Sequence, residues 1–319
     1  MNKRIQILRS VAICAVIMIH TNPRGGVTVG IRPFINFAVA LFIFCSGYLT
    51  DIEIANLPRF YVKRVTRVAV PYIVWSVLHT VIHGTYNSFW RNLLTGQANF
   101  PYYYILVYIQ FVILTPLIGK LIISRYKWLG FGITPLALII TRYIPVLMDI
   151  PVSFPFNETF FGVWFLYYYL GMMLGNGYLK SNLTYKRIFC FYAGTLILSE
   201  IEGYIWYGLG NFDMATTQLR FTSMLTSTAI CILAYYYIKD GKENAKENIV
   251  TKMLVIIGNC SFGIYLSHIA IKIVLQKIPG YDNLAFPFTS IVLLIVSTGC
   301  VMIGNKILGD KIGRYVGLN

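Results

Sequence analysis

Ten stretches without Lys, Arg, Asp or Glu recur along the whole chain. Most are long enough for a helix to cross the roughly 30 Å of hydrocarbon in a bilayer. Only 12% of the 319 residues are charged and 57% are hydrophobic, whereas soluble domains carry about 25% charged residues. The sequence therefore predicts an all-α, polytopic membrane protein of about ten transmembrane helices. The stretches are 10–23, 33–50, 68–90, 96–119, 128–141, 159–179, 188–199, 221–238, 253–271 and 283–305.

The basic residues predict the orientation of these helices. With the N-terminus inside, nineteen of the 27 Lys and Arg residues fall in inside segments and six in outside loops. Cytoplasmic loops are the ones enriched in Lys and Arg, so both termini are expected in the cytoplasm. The same distribution explains the net charge of +15 by attraction to anionic lipid. The bilayer is thus the expected partner of the basic residues, and nucleic acid is not.

The chain shows one region of uniform character. Its longest polar stretch is 239–248, which is expected to be a cytoplasmic loop. The N-terminal apolar run lacks a small-residue cleavage site and contains Arg9 and His20, so we expect a retained helix and not a signal peptide. Residues 1–319 are therefore predicted to form a single membrane domain without an appended soluble domain.

Arg9 and His20 form a candidate site on the first helix. They are eleven residues apart, which is close to three helical turns, so both share one face about 16 Å apart. Ionisable residues at membrane depth are costly and are usually functional. Each alone also fits a structural role, Arg9 as an arginine that reaches the interface and His20 as a satisfied histidine at a helix end. As a pair on one face they favour a function.

A second basic group opens the third predicted helix. Arg64 and Arg67 are spaced i,i+3 and share a helix face, with Lys63 beside them. Arginine forks bind phosphate oxygens well, so this group suits a polyanion such as a pyrophosphate. The alternative is simple anchoring of the helix on the cytoplasmic side.

Acidic and histidine residues at the outer ends of helices leave alternatives open. Glu158 and Glu200 could hold acceptor hydroxyl groups, orient an imidazole, or end helices at the water boundary. His79 and His83 are spaced i,i+4 like metal ligands, but no third ligand at a suitable spacing accompanies them. No metal is therefore expected.

Five motifs follow one another along the chain. They are Arg9-x10-His20; Phe44-Cys45-Ser46-Gly47-Tyr48-Leu49; Lys63-Arg64-Val65-Thr66-Arg67 with Pro71-Tyr72; Trp164-Phe165 with Leu170-Gly171; and Gly258-Asn259-Cys260-Ser261-Phe262-Gly263-Ile264-Tyr265-Leu266-Ser267-His268. In order and spacing they resemble the motifs of acyltransferase family 3, the integral-membrane acyltransferases that modify bacterial surface glycans. Many members begin the fourth span with a His-Leu-Trp-like motif. This chain has Tyr102-Tyr103-Tyr104 there, so roles of that His and Trp do not carry over.

The resemblance implies a multi-pass enzyme of the bacterial inner or plasma membrane. Such an enzyme takes acetyl from cytoplasmic acetyl-CoA, its co-substrate, and places it on a hydroxyl group of an extracytoplasmic or lipid-linked saccharide. Arg64 and Arg67, with Lys63, would hold the phosphates of coenzyme A. Arg9 would hold the head group or guide the pantetheine arm towards His20.

His20 would then act in one of two ways. It could remove the proton of the attacking hydroxyl group, or it could accept the acyl group covalently first. The thioester oxyanion needs a hydrogen-bond donor, for which Ser46 and Tyr48 are candidates. His268, which ends the last motif, is a possible supporting residue.

Two alternatives to acetyl transfer stay open. Some relatives in exopolysaccharide operons are assigned as O-succinyltransferases, so succinyl is the second candidate acyl group. A transport or polysaccharide-export protein without acyl transfer is the other alternative, although a pore needs no set of residues such as Arg9, His20, Arg64 and Arg67. The acceptor glycan and the oligomeric state are not indicated by the sequence.

Overall fold

A computed structural model describes residues 2–23, 25–151, 155–180, 183–240 and 248–318, and within these ranges the chain is helical without a β-strand. A π-helical turn, Ile139–Tyr143, joins the seventh helix to the eighth. The α-helices are α1 Lys3–Thr21, α2 Gly26–Ile35, α3 Ala38–Tyr48, α4 Leu57–His83, α5 Phe89–Thr95, α6 Tyr103–Ile123, α7 Gly130–Leu138, α8 Ile144–Leu147, α9 Phe156–Thr159, α10 Phe165–Gly175, α11 Tyr185–Gly208, α12 Phe212–Thr216, α13 Phe221–Lys239, α14 Ile249–Leu275 and α15 Phe288–Val316.

The membrane-protein prediction is confirmed. Among the described residues, nine helical stretches are long and apolar enough to cross a membrane, and all ten predicted stretches overlap helices. The stretch predicted at 159–179 differs from the rest, because its apolar helix covers only Phe161–Gly175. Every residue of α10 from Phe165 to Leu174 is buried. This helix therefore packs inside the bundle, where its backbone is covered by protein.

The first helix lies at the centre of the bundle. α1 packs most extensively against α14 and α3, and also touches α15, α2 and α13. Lipid tails are as apolar as leucine, so membrane helices associate through close packing rather than through the hydrophobic effect. Small residues permit that packing: a Cβ added at Gly258 of α14 would overlap the backbone carbonyl of Gln6 in α1.

Two other motif glycines hold α3 against α10. A Cβ at Gly47 would overlap the carbonyl of Tyr168, and a Cβ at Gly171 would overlap the carbonyl of Phe44. The two backbones thus touch at both positions. These contacts give a structural reason for glycine at these positions of the second and fourth motifs.

The two ends of the bundle differ in charge. We call the end that carries Lys63 and Arg67 the basic end and the other the histidine end, because α1 runs from Arg9 near the former to His20 at the latter. α4 begins at the basic end, where the Asn56 side chain accepts a hydrogen bond from the Arg59 backbone N–H at 2.9 Å. Such a cap satisfies an N–H group of the first turn that has no partner within the helix. It therefore stabilises the start of the helix that carries Lys63, Arg64 and Arg67.

The last helix bends back over the basic end. Gly309 interrupts α15 with φ 70° and ψ 168°, a conformation that only glycine adopts readily. Beyond the bend, the Val316 carbonyl accepts a hydrogen bond from Trp75 Nε1 at 2.9 Å. The segment Asp310–Val316 is thereby fixed beside α4.

Candidate active site

His20 occupies the last turn of α1. Carbonyl groups in a last turn lack helical partners, and here Lys272 Nζ of α14 donates to the His20 carbonyl at 2.6 Å. The imidazole ring lies edge-on to Phe100, with centroids 6.2 Å apart. Its side chain makes no hydrogen bond to any other described residue, so both ring nitrogens are free to bind a ligand.

A second imidazole lies directly beside His20. The His268 ring centroid is 5.2 Å from that of His20, and the ring planes are tilted by 47°. His268 is fully buried. Its Nδ1 is 3.0 Å from the Ile264 carbonyl and 2.8 Å from the Tyr265 carbonyl, and two acceptors require that Nδ1 carries the proton. Nε2 is then a bare acceptor, and within the described chain it has no hydrogen-bond partner.

His20 lines a cavity of about 260 Å³, which we call the histidine cavity. Its wall is polar at one side, where charged and amide side chains from α2, α9 and the α12 region meet. Gln218 Nε2 donates to the Tyr103 hydroxyl at 2.6 Å within this wall. Its lining residues are Val16, Ile19, His20, Arg32, Val39, Phe100, Pro101, Tyr103, Glu158, Asp213, Thr216, Thr217, Gln218 and Tyr265.

A buried arginine connects the two carboxylates of this cavity. Arg142 lies in the π-helical turn, its side chain is 4% exposed, and its Nη2 donates to Asp213 Oδ2 at 2.8 Å. Its Nη1 lies 3.8 Å from Glu158 Oε1. Burial raises the pKa of Glu158 to about 7, which the positive charge of Arg142 only partly opposes. Glu158 thus changes charge near neutral pH in the wall of the histidine cavity.

Arg9 lines a different cavity, of about 210 Å³, nearer the basic end. We call it the arginine cavity, because Arg64 and Arg67 of α4 also line it, together with Ser46 and Asn259. Arg64 Nη2 donates to the Leu49 carbonyl at 3.2 Å, and Ser46 Oγ donates to the Phe42 carbonyl at 3.0 Å. The three arginines predicted from the sequence are therefore brought together.

The arginine cavity adjoins a wide opening at the basic end. This opening, which we call the basic vestibule, has a volume of about 880 Å³ and is lined by Lys63, Arg67, Lys311, Arg314 and Asp310, among others. Arg67 lines both spaces. Sequence reasoning assigned Lys311 and Arg314 only to membrane topology. The bend at Gly309 brings them to α4, and the nearby glycine was the one signal that could have suggested it.

Two tyrosines lie between the arginine cavity and the histidine cavity. Tyr104 lines the former and Tyr265 the latter, and their ring centroids are 5.5 Å apart at 71°. The Tyr265 hydroxyl donates to the Pro101 carbonyl. A single pair of aromatic rings thus adjoins both cavities, and Tyr104 belongs to the tyrosine triplet at the start of the fourth span.

The structure leaves two sequence candidates outside these three spaces. Tyr48 packs against Tyr235 with ring centroids 6.4 Å apart and lines none of them. Glu200 in α11 also lines none of them, although its Oε2 is buried without a hydrogen-bond partner among the described residues. Its neighbour Glu202 accepts a hydrogen bond from the Tyr143 hydroxyl at 2.6 Å. Of the two predicted acidic residues, only Glu158 shares a cavity with His20.

The remaining histidine pair belongs to the packing of α4. His79 is buried, and its Nε2 lies 3.2 Å from Asn99 Nδ2. Its ring stacks on that of His83 with centroids 5.8 Å apart. Across the described ranges, no three His, Cys, Asp or Glu side chains are grouped so that they could hold a metal ion.

Comparison with known proteins gives a family. The model of acyltransferase family 3, described as an acyltransferase domain, matches residues 2–305. No curated protein and no solved structure matches the chain significantly. The family match covers α1 to α14 and the first part of α15, whereas Gly309, Asp310, Lys311, Arg314 and Val316 lie beyond it. The chain therefore belongs to acyltransferase family 3 and is a membrane acyltransferase.

Proposed function

We propose that the protein transfers an acyl group from acyl-coenzyme A, bound at the basic end, to a hydroxyl group of a saccharide bound in the histidine cavity. One observation supports this most strongly. The basic vestibule and the arginine cavity share Arg67, and α1 lines both the arginine cavity, with Arg9, and the histidine cavity, with His20. Such a series suits a donor that is polyanionic at one end and reactive at the other.

Coenzyme A fits the first two spaces by its chemistry. Its phosphates would lie in the basic vestibule, where Lys63 and Arg67 offer charge-assisted hydrogen bonds. The uncharged pantetheine arm would pass Arg9 and Arg64 through the arginine cavity. Arg9 and His20 are eleven residues apart, or about 16 Å along the helix, and the arm is long and thin enough to bridge that distance. The rings of Tyr104 and Tyr265 would have to separate for the thioester to reach His20.

His20 would carry the proton transfer. In the direct route its free ring nitrogen takes the proton of the acceptor hydroxyl while the oxygen attacks the thioester carbon. The new C–O bond forms, the C–S bond breaks, and the coenzyme A thiolate leaves with the proton that His20 returns. In the alternative route the imidazole nitrogen attacks the thioester carbon, the C–S bond breaks and the coenzyme A thiolate leaves. The acceptor oxygen then attacks the same carbon, the C–N bond breaks, and the hydroxyl proton passes to the released imidazole or thiolate. The geometry is compatible with both routes.

His268 would position His20. Because Nδ1 of His268 is held by two carbonyls, its bare Nε2 is an acceptor for an N–H group of the neighbouring imidazole. That hydrogen bond would fix which nitrogen of His20 carries the proton, as second-shell acceptors do for other histidines. Glu158 would contact the acceptor hydroxyls, and Ser46 would lie along the path of the arm.

The finer assignments follow from the same scheme. Acetyl is the first candidate acyl group and succinyl the second. The basic end faces the cytoplasm, where acyl-CoA is made, and the histidine end faces the outside of the bacterial inner or plasma membrane. The acceptor is an extracytoplasmic or lipid-linked saccharide.

The test is release of coenzyme A by the purified protein in nanodiscs, with acetyl-CoA or succinyl-CoA as donor and a membrane glycolipid extract as acceptor. We expect acceptor-dependent release that falls at least about 100-fold in His20→Ala, because a general base contributes about 10²- to 10⁴-fold. Arg67→Ala should raise the KM for the donor. His83→Ala and Arg125→Ala, which change exposed residues of the same types, are the matched controls.

A folded protein that binds neither donor and releases no coenzyme A would contradict the proposal. Transport or polysaccharide export without acyl transfer would then be the better account. Equal loss of activity in His20→Ala and His83→Ala would also contradict it, because His20 lines the histidine cavity and His83 does not.

A further inference from the structure

We propose that the acceptor saccharide carries an anionic group, a carboxylate or a phosphate, and that Arg32 in the histidine cavity binds it. This inference rests on the proposed acyl transfer and names the class of acceptor. It starts from a guanidinium group in the wall of the cavity that the transfer chemistry does not use. Arg32 lines the cavity together with His20, so an anion bound there would belong to the molecule that His20 activates.

Arg32 is held in place by its inner edge. Its Nε donates to the Thr216 carbonyl at 2.7 Å. One helical turn later, Asn36 Nδ2 donates to the Thr217 carbonyl at 3.0 Å and to the Thr216 carbonyl at 3.4 Å. These bonds fix α2 against the last residue of α12 and the residue that follows it. The arginine side chain is thereby positioned without help from its two terminal amino groups.

Those two amino groups form a free fork. Neither Nη1 nor Nη2 of Arg32 hydrogen-bonds to another residue of the described ranges. A planar fork of this kind matches the two oxygens of a carboxylate or a phosphate, and such bidentate pairs are among the strongest hydrogen bonds in proteins. Arginine is preferred over lysine at these sites for this reason.

The charges around the cavity favour an anion. Asp213 and Glu158 are its two carboxylates, and both already lie against Arg142. Glu158 is partly protonated near neutral pH because burial raises its pKa to about 7. Lys272 adds a further positive charge at the His20 carbonyl. With Arg142 and Lys272 counted, the positive groups around the cavity exceed the two carboxylates. The charge of Asp213 acts on Arg32 as well as on Arg142, so it neutralises Arg32 only in part, and a ligand of opposite charge would stabilise the guanidinium group further.

The size of the cavity limits the ligand. At about 260 Å³ it is smaller than the lower end of common ligand pockets, about 300 Å³. A single sugar ring with its anionic group fits this volume, and the rest of the glycan or lipid would extend outside the cavity. An acceptor such as a uronic acid or a sugar phosphate has this form.

The experiment compares three acceptors that share free hydroxyls at C2, C3 and C4. Octyl xyloside has no carbon substituent at C5. Octyl glucuronide has a carboxylate attached to C5, and octyl glucoside 6-phosphate has a phosphate on the oxygen of C6. We expect a kcat/KM for at least one anionic acceptor that exceeds the value for the xyloside by about 10-fold or more, the range of a hydrogen-bonded charge. The better anion identifies the carboxylate or the phosphate. Arg32→Gln should remove the advantage by raising KM, and Arg32→Lys should restore part of it.

Arg91→Gln is the matched control, because Arg91 is an exposed arginine in α5, beyond the histidine end of α4. An equally good xyloside, or an anionic advantage that Arg32→Gln leaves intact, would overturn the inference. An equal fall of kcat on all three acceptors would also overturn it, since Arg32 would then act on the reacting atoms.

The native extract covers the case in which none of the three is used. It is separated by anion exchange, and transfer to the neutral fraction alone would overturn the inference while the proposed acyl transfer stands. Absence of coenzyme A release with the whole extract would instead contradict the acyl transfer itself.

Discussion

Replacing Gly258 by Ala should separate α1 from α14 and slow the reaction. The added Cβ would overlap the Gln6 carbonyl, and the two helices would have to move apart by about 1 Å to restore an allowed contact. α1 carries His20 and α14 carries His268, so the same movement changes the spacing of the two imidazoles. A misplacement of about 1 Å can cost about 100-fold in rate.

The effect on stability is smaller and can be estimated separately. Overpacking of a close contact costs about 1–3 kcal/mol, and the helix propensity of Ala over Gly returns about 1 kcal/mol. The net loss in the free energy of unfolding is therefore about 0–2 kcal/mol. Gly258→Ala should fold and retain most of its stability while its rate of coenzyme A release falls by one to two powers of ten.

Gly299→Ala is the matched control. Gly299 lies in α15, and a Cβ there meets nothing within 4 Å, so only the propensity gain applies. Thermal unfolding in nanodiscs measures stability, and coenzyme A release measures the rate. If Gly258→Ala matched Gly299→Ala in both measurements, the close contact would not set the position of His20 and the reasoning would be wrong.

Three further predictions concern the site. His268→Gln can keep an acceptor near the position of Nε2, whereas His268→Asn can keep only the donor to the two carbonyl groups. His268→Gln should therefore retain a higher kcat than His268→Asn. The reverse order would indicate that His268 is purely structural. Glu158→Gln should remove a pH dependence: a carboxyl group whose pKa is raised from 4.5 to about 7 stabilises the fold below pH 4.5 and loses this contribution as pH rises through 7. The midpoint temperature of thermal unfolding should therefore fall in wild type, relative to the variant, as the pH rises from 4.5 to about 7. The double change Lys311→Gln with Arg314→Gln should raise the KM for acyl-CoA without lowering kcat, as steady-state kinetics would show.

Much of the fold could be predicted from the sequence because membrane helices are local. A span needs only a run of apolar residues long enough for the bilayer, and each predicted stretch corresponds to a helix. The length of the apolar stretch 159–179 did not reveal that its apolar helix covers only Phe161–Gly175. A helix enclosed by its neighbours need not cross the whole bilayer. The breaks in α2–α3 and at Gly309 were also missed, since they depend on contacts with other helices.

Part of the candidate site could also be predicted from the sequence, and part could not. The positions of Arg9 and His20 on one side of α1, and of Arg64 and Arg67 on one side of α4, follow from helical periodicity. From the sequence alone, the chain could therefore be identified as a membrane protein whose first helix carries Arg9 towards one end and His20 at the other. It could not rank Glu158 above Glu200, because both are carboxylates beside an apolar stretch.

Only the tertiary structure decided which groups meet. His268 is far from His20 in sequence, and it becomes a neighbour because Gly258 lets α14 approach α1. Arg32 enters the histidine cavity because α2 is tied to the Thr216 carbonyl, and Lys311 enters the vestibule because α15 bends at Gly309. Periodicity records the face of a helix on which a residue lies, whereas the partner of that face depends on backbone contacts between distant segments.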